Sequence, residues 1–138
     1  MVNTLAEKLK ANPDNPPGWL MLARSYKSMG RYADAVQAFT NAESAINDDP
    51  DQLASYAETI AMADGRGITG KAVKLVERAL KVDPNHGHSL FLAGAAAMEA
   101  GDNKKGIAYW EPLLPQLEPG SEVEQMVRSG IEKMKAGK

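Results

Sequence analysis

The sequence predicts an all-α solenoid of three helical hairpins, preceded by a short N-terminal helix and closed by a C-terminal capping helix. Three observations carry this. In "GWLMLARSYKSMGRYADAVQAFTNA", Trp19, Leu22, Ala23 and Tyr26 stand at steps of three, one and three, which places them on one stripe of a helix. After Gly30 a second stripe follows, with Ala35, Phe39 and Ala42 at steps of four and three, so two helices face each other across a tight turn. The pattern then recurs: Leu53, Tyr56, Ala57 and Ile60 repeat it 34 residues later, and Leu90, Ala93, Gly94 and Ala97 a further 37 residues on. A single hairpin cannot bury both of its faces, whereas stacked copies share a continuous core.

Each element can be justified in turn. "TLAEKLKANPDN" is expected to form a short helix, with Thr4 and Glu7 in the capping-box relation, Leu5 and Leu9 on one face and Pro13 past its end. The three hairpins follow at 16–49, 50–84 and 85–119, after an N-terminal helix and linker at 1–15, all within a single domain of residues 1–138. The second helices match as well, since Ala35, Phe39 and Ala42 correspond to Ala72, Val76 and Ala79 and then to Gly106, Trp110 and Leu113. The three extra residues of the second repeat fall in "DGRGITG", 64–70, because Tyr26 to Ala35 spans nine positions and Ile60 to Ala72 spans twelve. Loops accept insertions that helices do not. In the third repeat Pro112 and Pro115 interrupt the second helix, which should bend or end near Glu111. Ser121 and Glu124 then open the capping helix of 120–138, whose apolar stripe is Val123, Val127, Ile131 and Met134.

A unit of about 34 residues with Trp, Leu, small and Tyr positions on its first helix and Ala and Phe on its second is the pattern of a tetratricopeptide repeat (TPR). The small residues Ala23, Ala57 and Gly94 let the paired helices approach, and the large ones fill the space between hairpins.

Composition narrows the function. A net charge of -2 and the lack of a basic run interleaved with aromatics argue against nucleic acid. With no Cys, disulfides, thiolate zinc sites and cysteine nucleophiles are excluded. No run of about 18 apolar residues occurs, and "MVNTLAEKLK" lacks the apolar centre of a signal peptide, so the chain is expected to be soluble and to carry no address of its own. His86 and His88 lack further His or Cys to complete a metal site, and are expected to cap a helix or line a groove. "GRGITGK" lacks both the glycine spacing of a phosphate loop and a preceding strand. No pair of carboxylates is placed for acid–base work, so no catalytic residue, metal or cofactor is expected and the chain is not expected to be an enzyme.

In stacked hairpins of this kind the first helices line the concave surface with the residues outside the packing stripe. Those are Leu20, Arg24 and Lys27 from the first repeat, Ala54, Glu58, Ala61 and Met62 from the second, and Phe91, Ala95 and Met98 from the third, with His88 at the rim. A face of Leu, Met and Phe with a basic end suits an amphipathic helix.

The segments "LAEKLKANPDNPPGWLMLARSY", "GRYADAVQAF", "ERALKVDPNHGHSLFLAGAAAMEAGD" and "IAYWEPLLPQLEPGSE" closely resemble the periplasmic TPR domain of bacterial c-type cytochrome biogenesis proteins of the CcmI/CycH/NrfG type. The resemblance runs from about Leu5 to the final helix. It implies a holding chaperone in the periplasm. Such a protein binds the C-terminal helical peptide of an apocytochrome c and passes it to subunits of the haem-ligation complex. It implies no direct contact with haem, and attachment to the membrane only through an anchor that this chain lacks. The rival classes are a TPR scaffold or co-chaperone that clamps an acidic C-terminal tail, and a structural subunit that only bridges larger proteins. Leu20 and Ala54 stand where a clamp would want polar side chains. Affinity for helical against acidic extended peptides separates the first two readings, and lack of any peptide affinity marks the third.

Overall fold

Helix starts and stops in this chain are written in its caps and glycines. Asn15 accepts a hydrogen bond from the Gly18 N–H at 3.2 Å, and Pro16 and Pro17, which need no partner for their missing N–H groups, open the next helix. Asp49 with Pro50, and Asp102, do the same for two later helices. In the computed structural model, which describes residues 2–137, these signals delimit α1 (Val2–Ala11), α2 (Pro16–Ser28), α3 (Tyr32–Asn41), α4 (Glu43–Ile46), α5 (Pro50–Asp64), α6 (Lys71–Val82), α7 (Gly87–Glu99), α8 (Asn103–Trp110) and α9 (Glu122–Ala136). A single 3-10 turn, Leu114–Gln116, lies between the last two. The pairs α2/α3, α5/α6 and α7/α8 are the three hairpins, and the fold is a TPR solenoid.

The first and third hairpins turn in the same way. Gly30 and Gly101 take φ of +78° and +80°, and the residue after each closes a hydrogen bond back into the first helix, Arg31 N–H to Tyr26 O and Asp102 N–H to Ala97 O. Only glycine adopts that backbone without strain. In the second hairpin Gly65 ends α5 alone and the chain runs on through residues 65–70, so the insertion sits in the turn.

Two clusters form the core. The larger holds Leu9, Leu22, Phe39, Leu53, Tyr56 and Val76, with the Phe39 and Tyr56 rings stacked at 5.0 Å. The smaller joins Leu90, Trp110 and Leu113 to Val127, Ile131 and Met134 of α9. Leu80, Phe91 and Tyr109 pack against both and make the core continuous. Trp110 lies between two glycines: a Cβ on Gly94 or on Gly130 would overlap its indole ring. The close approach read from the sequence at position 94 is therefore used by one particular side chain.

Four local expectations are corrected. First, α1 already runs from Val2, so Thr4 lies inside it rather than at its cap. Second, Trp19 is half-buried, unlike its counterparts Leu53 and Leu90; it packs at the margin of the larger cluster, and its indole N–H donates to Pro13 O at 2.8 Å. Third, Val123 stands 42% exposed while Val127, Gly130, Ile131 and Met134 are buried, so the inward stripe of α9 begins one turn later. Fourth, the first repeat's second helix breaks at Ala42, where α3 gives way to the four-residue α4. Thr40 donates its hydroxyl to Val36 O just before the break. Pro112 has the expected effect, since α8 stops at Trp110. Ser121 caps α9, but Glu124 returns its bond to the Gly120 N–H and not to Ser121.

Candidate peptide-binding face

Helices α2, α5 and α7 carry the residues singled out for recognition, one set per repeat. The repeat register brings Lys27, Glu58 and His88 into a single polar chain across all three. Lys27 Nζ lies 2.8 Å from Glu58 Oε1 and donates to Ser55 Oγ at 3.0 Å, and His88 Nε2 lies 3.5 Å from Glu58 Oε2. The His88 imidazole, and then the Lys27 ammonium, hold the Glu58 carboxyl far below the usual carboxylate range, at about 2, against the opposing effect of burial. Lys27 is therefore engaged within the protein. Arg24, exposed one turn earlier, makes no ion pair among the described residues.

The apolar members divide. Leu20 and Ala61 are half-buried against the larger core cluster, and Ala95 and Met98 against the smaller. Ala54 has 0% exposure and offers no surface to a ligand; the position is taken by packing between hairpins. Met62 is 50% exposed, but it lies beside the first turn, where it lines a small hollow with Gly30, Arg31 and Asp34. Phe91 is half-buried, stacked on Trp110 at 5.8 Å with the ring planes 12° apart.

Phe91 and His88 also line a cavity of about 330 Å³ with Gly87, Leu113, Gln116, Leu117 and Val123. Of these, sequence reasoning singled out only Phe91 and His88 for recognition. Once Pro112 ends α8, the following "LLPQL" folds back toward the start of α7, where Gln116 donates to Asn85 O at 2.9 Å. The apolar residues after the proline were the signal, yet they fall outside the repeat period. The result is an apolar hollow walled by Phe91, Leu113, Leu117 and the exposed Val123, beside the polar chain.

The two histidines face different carboxylates. His86 accepts the Ser89 N–H through Nδ1 as the cap of α7, so its Nε2–H points to Asp51 Oδ1 at 2.6 Å. Both of its ring nitrogens are occupied, and His88 is turned to Glu58. Each histidine thus ties the third hairpin to the second.

Comparison with known proteins follows the same lines. The family described as "Cytochrome c-type biogenesis protein H TPR domain" matches residues 2–124. The cytochrome c-type biogenesis protein CycH of Pseudomonas aeruginosa is 31% identical over 133 residues, which cover 96% of this chain and 33% of that protein. The formate-dependent nitrite reductase complex subunit NrfG of Escherichia coli O157:H7 is 22% identical over 128 residues, covering 93% of this chain and 65% of that protein. The chain thus spans about a third of the length of its CycH relative. A crystal structure of MamA superposes with a TM-score of 0.71 over 99% of this chain and 85% of that one; at 16% identity this likeness concerns the fold alone.

Proposed function

Because the chain belongs to the family of cytochrome c-type biogenesis protein H TPR domains, we propose that it holds the C-terminal helical segment of an apocytochrome c during c-type cytochrome maturation and presents it to the haem-ligation complex. The domain acts as a scaffold, without catalysis of its own, on the periplasmic side. No helix among the described residues is long and apolar enough to cross a membrane.

The observation that carries the reading is the apolar hollow of Phe91, Leu117 and Val123 beside a groove in which Lys27, Glu58 and His88 are already paired with one another. An amphipathic helix can place one or two large side chains there and meet Arg24 with its terminal carboxylate. Each such side chain contributes roughly 1.5–3 kcal/mol before ordering costs. A clamp for acidic extended tails is disfavoured, since Lys27 is committed to Glu58 and Ser55.

Calorimetric titration with an apocytochrome C-terminal helical peptide tests this. Val123→Asp puts a charge in the hollow from an exposed position, so the fold should survive while affinity falls by at least about tenfold. Arg24→Ala should weaken binding mainly at low ionic strength. Parent-like affinity in both variants would place the client elsewhere.

A further inference from the structure

Two larger hollows lie away from that groove, along α6 where it faces the third hairpin. One, of about 650 Å³, is lined by Lys74, Glu77, Arg78, Leu80 and Lys81 of α6 with Tyr109 of α8. Another, of about 610 Å³, lies between the second and third hairpins, and Ile68 and Arg66 of the inserted turn form one of its walls. Tyr109 and Glu77 border both, so the two form one furrow.

Its charge is unlike that of the chain as a whole. The chain carries -2, yet α6 places Lys71, Lys74, Arg78 and Lys81 at steps of three, four and three, along one stripe of the helix. Lys71 pairs with Glu43 and Arg78 with Asp48, both from the first repeat. Lys74 and Lys81 make no ion pair among the described residues. Next to them the second hollow is floored by Val73, Ala93, Ala96 and Ala97, with Ile68 at its side. Its volume falls within the range of built recognition pockets and accommodates an aromatic side chain.

We propose that this furrow between α6 and α8 is a second protein-binding surface, which takes an extended acidic segment of a partner, its carboxylates on Lys74 and Lys81 and one bulky apolar side chain in the hollow beside Ile68. The charge complementarity favours an acidic strand of peptide. A bilayer is disfavoured by shape, since a flat anionic surface cannot enter the furrow; Glu77, Glu99 and Asp102 at its border confine an acidic segment to the side of Lys74 and Lys81. The three-residue insertion at 64–70 thereby gains a use, as it supplies Ile68, which is 8% exposed, to the wall.

The test is fluorescence anisotropy with the full chain and a labelled peptide in which a run of Asp and Glu precedes a single Phe. Saturable binding is expected, weakened about tenfold in the Lys74→Glu/Lys81→Glu double variant and by raised salt. Replacing the Phe of the probe by Ser should weaken it comparably. Glu77→Lys should tighten it, a gain that a damaged fold cannot mimic, and thermal melts of all variants check folding. The helical groove peptide should not displace the probe. The proposal is overturned by absence of saturable binding, by equal affinity across the variants, by displacement from the groove, or by phosphatidylserine vesicles that bind with the same dependence on Lys74 and Lys81.

Discussion

The cradle of Trp110 offers a sharp test of the packing. Position 94 is alanine in the other two repeats, as Ala23 and Ala57, so Gly94→Ala looks conservative and should even favour the helix by about 1 kcal/mol. The structure predicts the reverse. A Cβ at Gly94 would overlap the indole, which is held on its other side by Gly130, stacks on Phe91 and donates its N–H to Phe91 O at 3.1 Å. The ring must move out of this slot. Overpacking of a close-fitted core costs about 1–3 kcal/mol, and loss of the indole hydrogen bond adds about 1 kcal/mol. Set against the helix gain, the net destabilisation is about 1–3 kcal/mol, which for a chain of this length lowers the melting temperature by roughly 3–12 °C. Circular dichroism melts measure it. In a Trp110→Leu background the obstruction is relieved, and Gly94→Ala should become neutral or stabilising. An unchanged or raised melting temperature in the Trp110 protein would refute the reasoning.

Two further outcomes follow from the polar chain and the entrance of the solenoid. Glu58 titrates at about 2 in the folded protein against an ordinary 4.5, so its ionised form adds stability that is complete above pH 4.5 and is lost as pH falls toward 2. The shift corresponds to about 3 kcal/mol, reduced to about 1–2 kcal/mol because a third of the side chain faces solvent. Glu58→Gln should therefore be less stable than the parent at pH 7, with the difference vanishing near pH 2; a difference constant across that window would show that the ion pairs do not act. Trp19→Ala should cost about 1–3 kcal/mol, less than the roughly 3–5 kcal/mol of a fully buried Trp, because the ring is half-buried and makes one bond to Pro13 O. Denaturant unfolding of the variant would contradict this by showing either no loss or a loss of the full size.

How far the sequence reaches depends on whether a feature obeys the repeat period. Leu22, Ala23, Phe39, Leu53, Tyr56, Ala57 and Val76 are buried where the 34-residue pattern puts them, because each lies on a helix face dictated by local geometry. The insertion at 64–70 and the stop before Pro112 were legible for the same reason: each is a local departure with a local cause. The break at Ala42 was not, since nothing in the apolar pattern changes there; the end of α3 at Asn41 and the left-handed Asn47 and Asp48 are backbone choices that periodicity does not register.

The candidate site shows the limit more clearly. Position in the repeat placed Lys27, Glu58 and His88 on one face, but it could not say that they would face one another, because that requires the stagger between three hairpins. The consequence changes the chemistry expected of the face. Counted separately, these residues gave it a basic end and one acid; joined, they neutralise much of each other, while Arg24 makes no ion pair among the described residues and Phe91, Leu117 and Val123 line an apolar hollow beside them. The hollow in turn depends on Pro112, which ends α8 early and frees the segment that supplies Leu113, Gln116 and Leu117. A residue that looked like a defect in the third repeat thus frees three of the side chains that line the hollow.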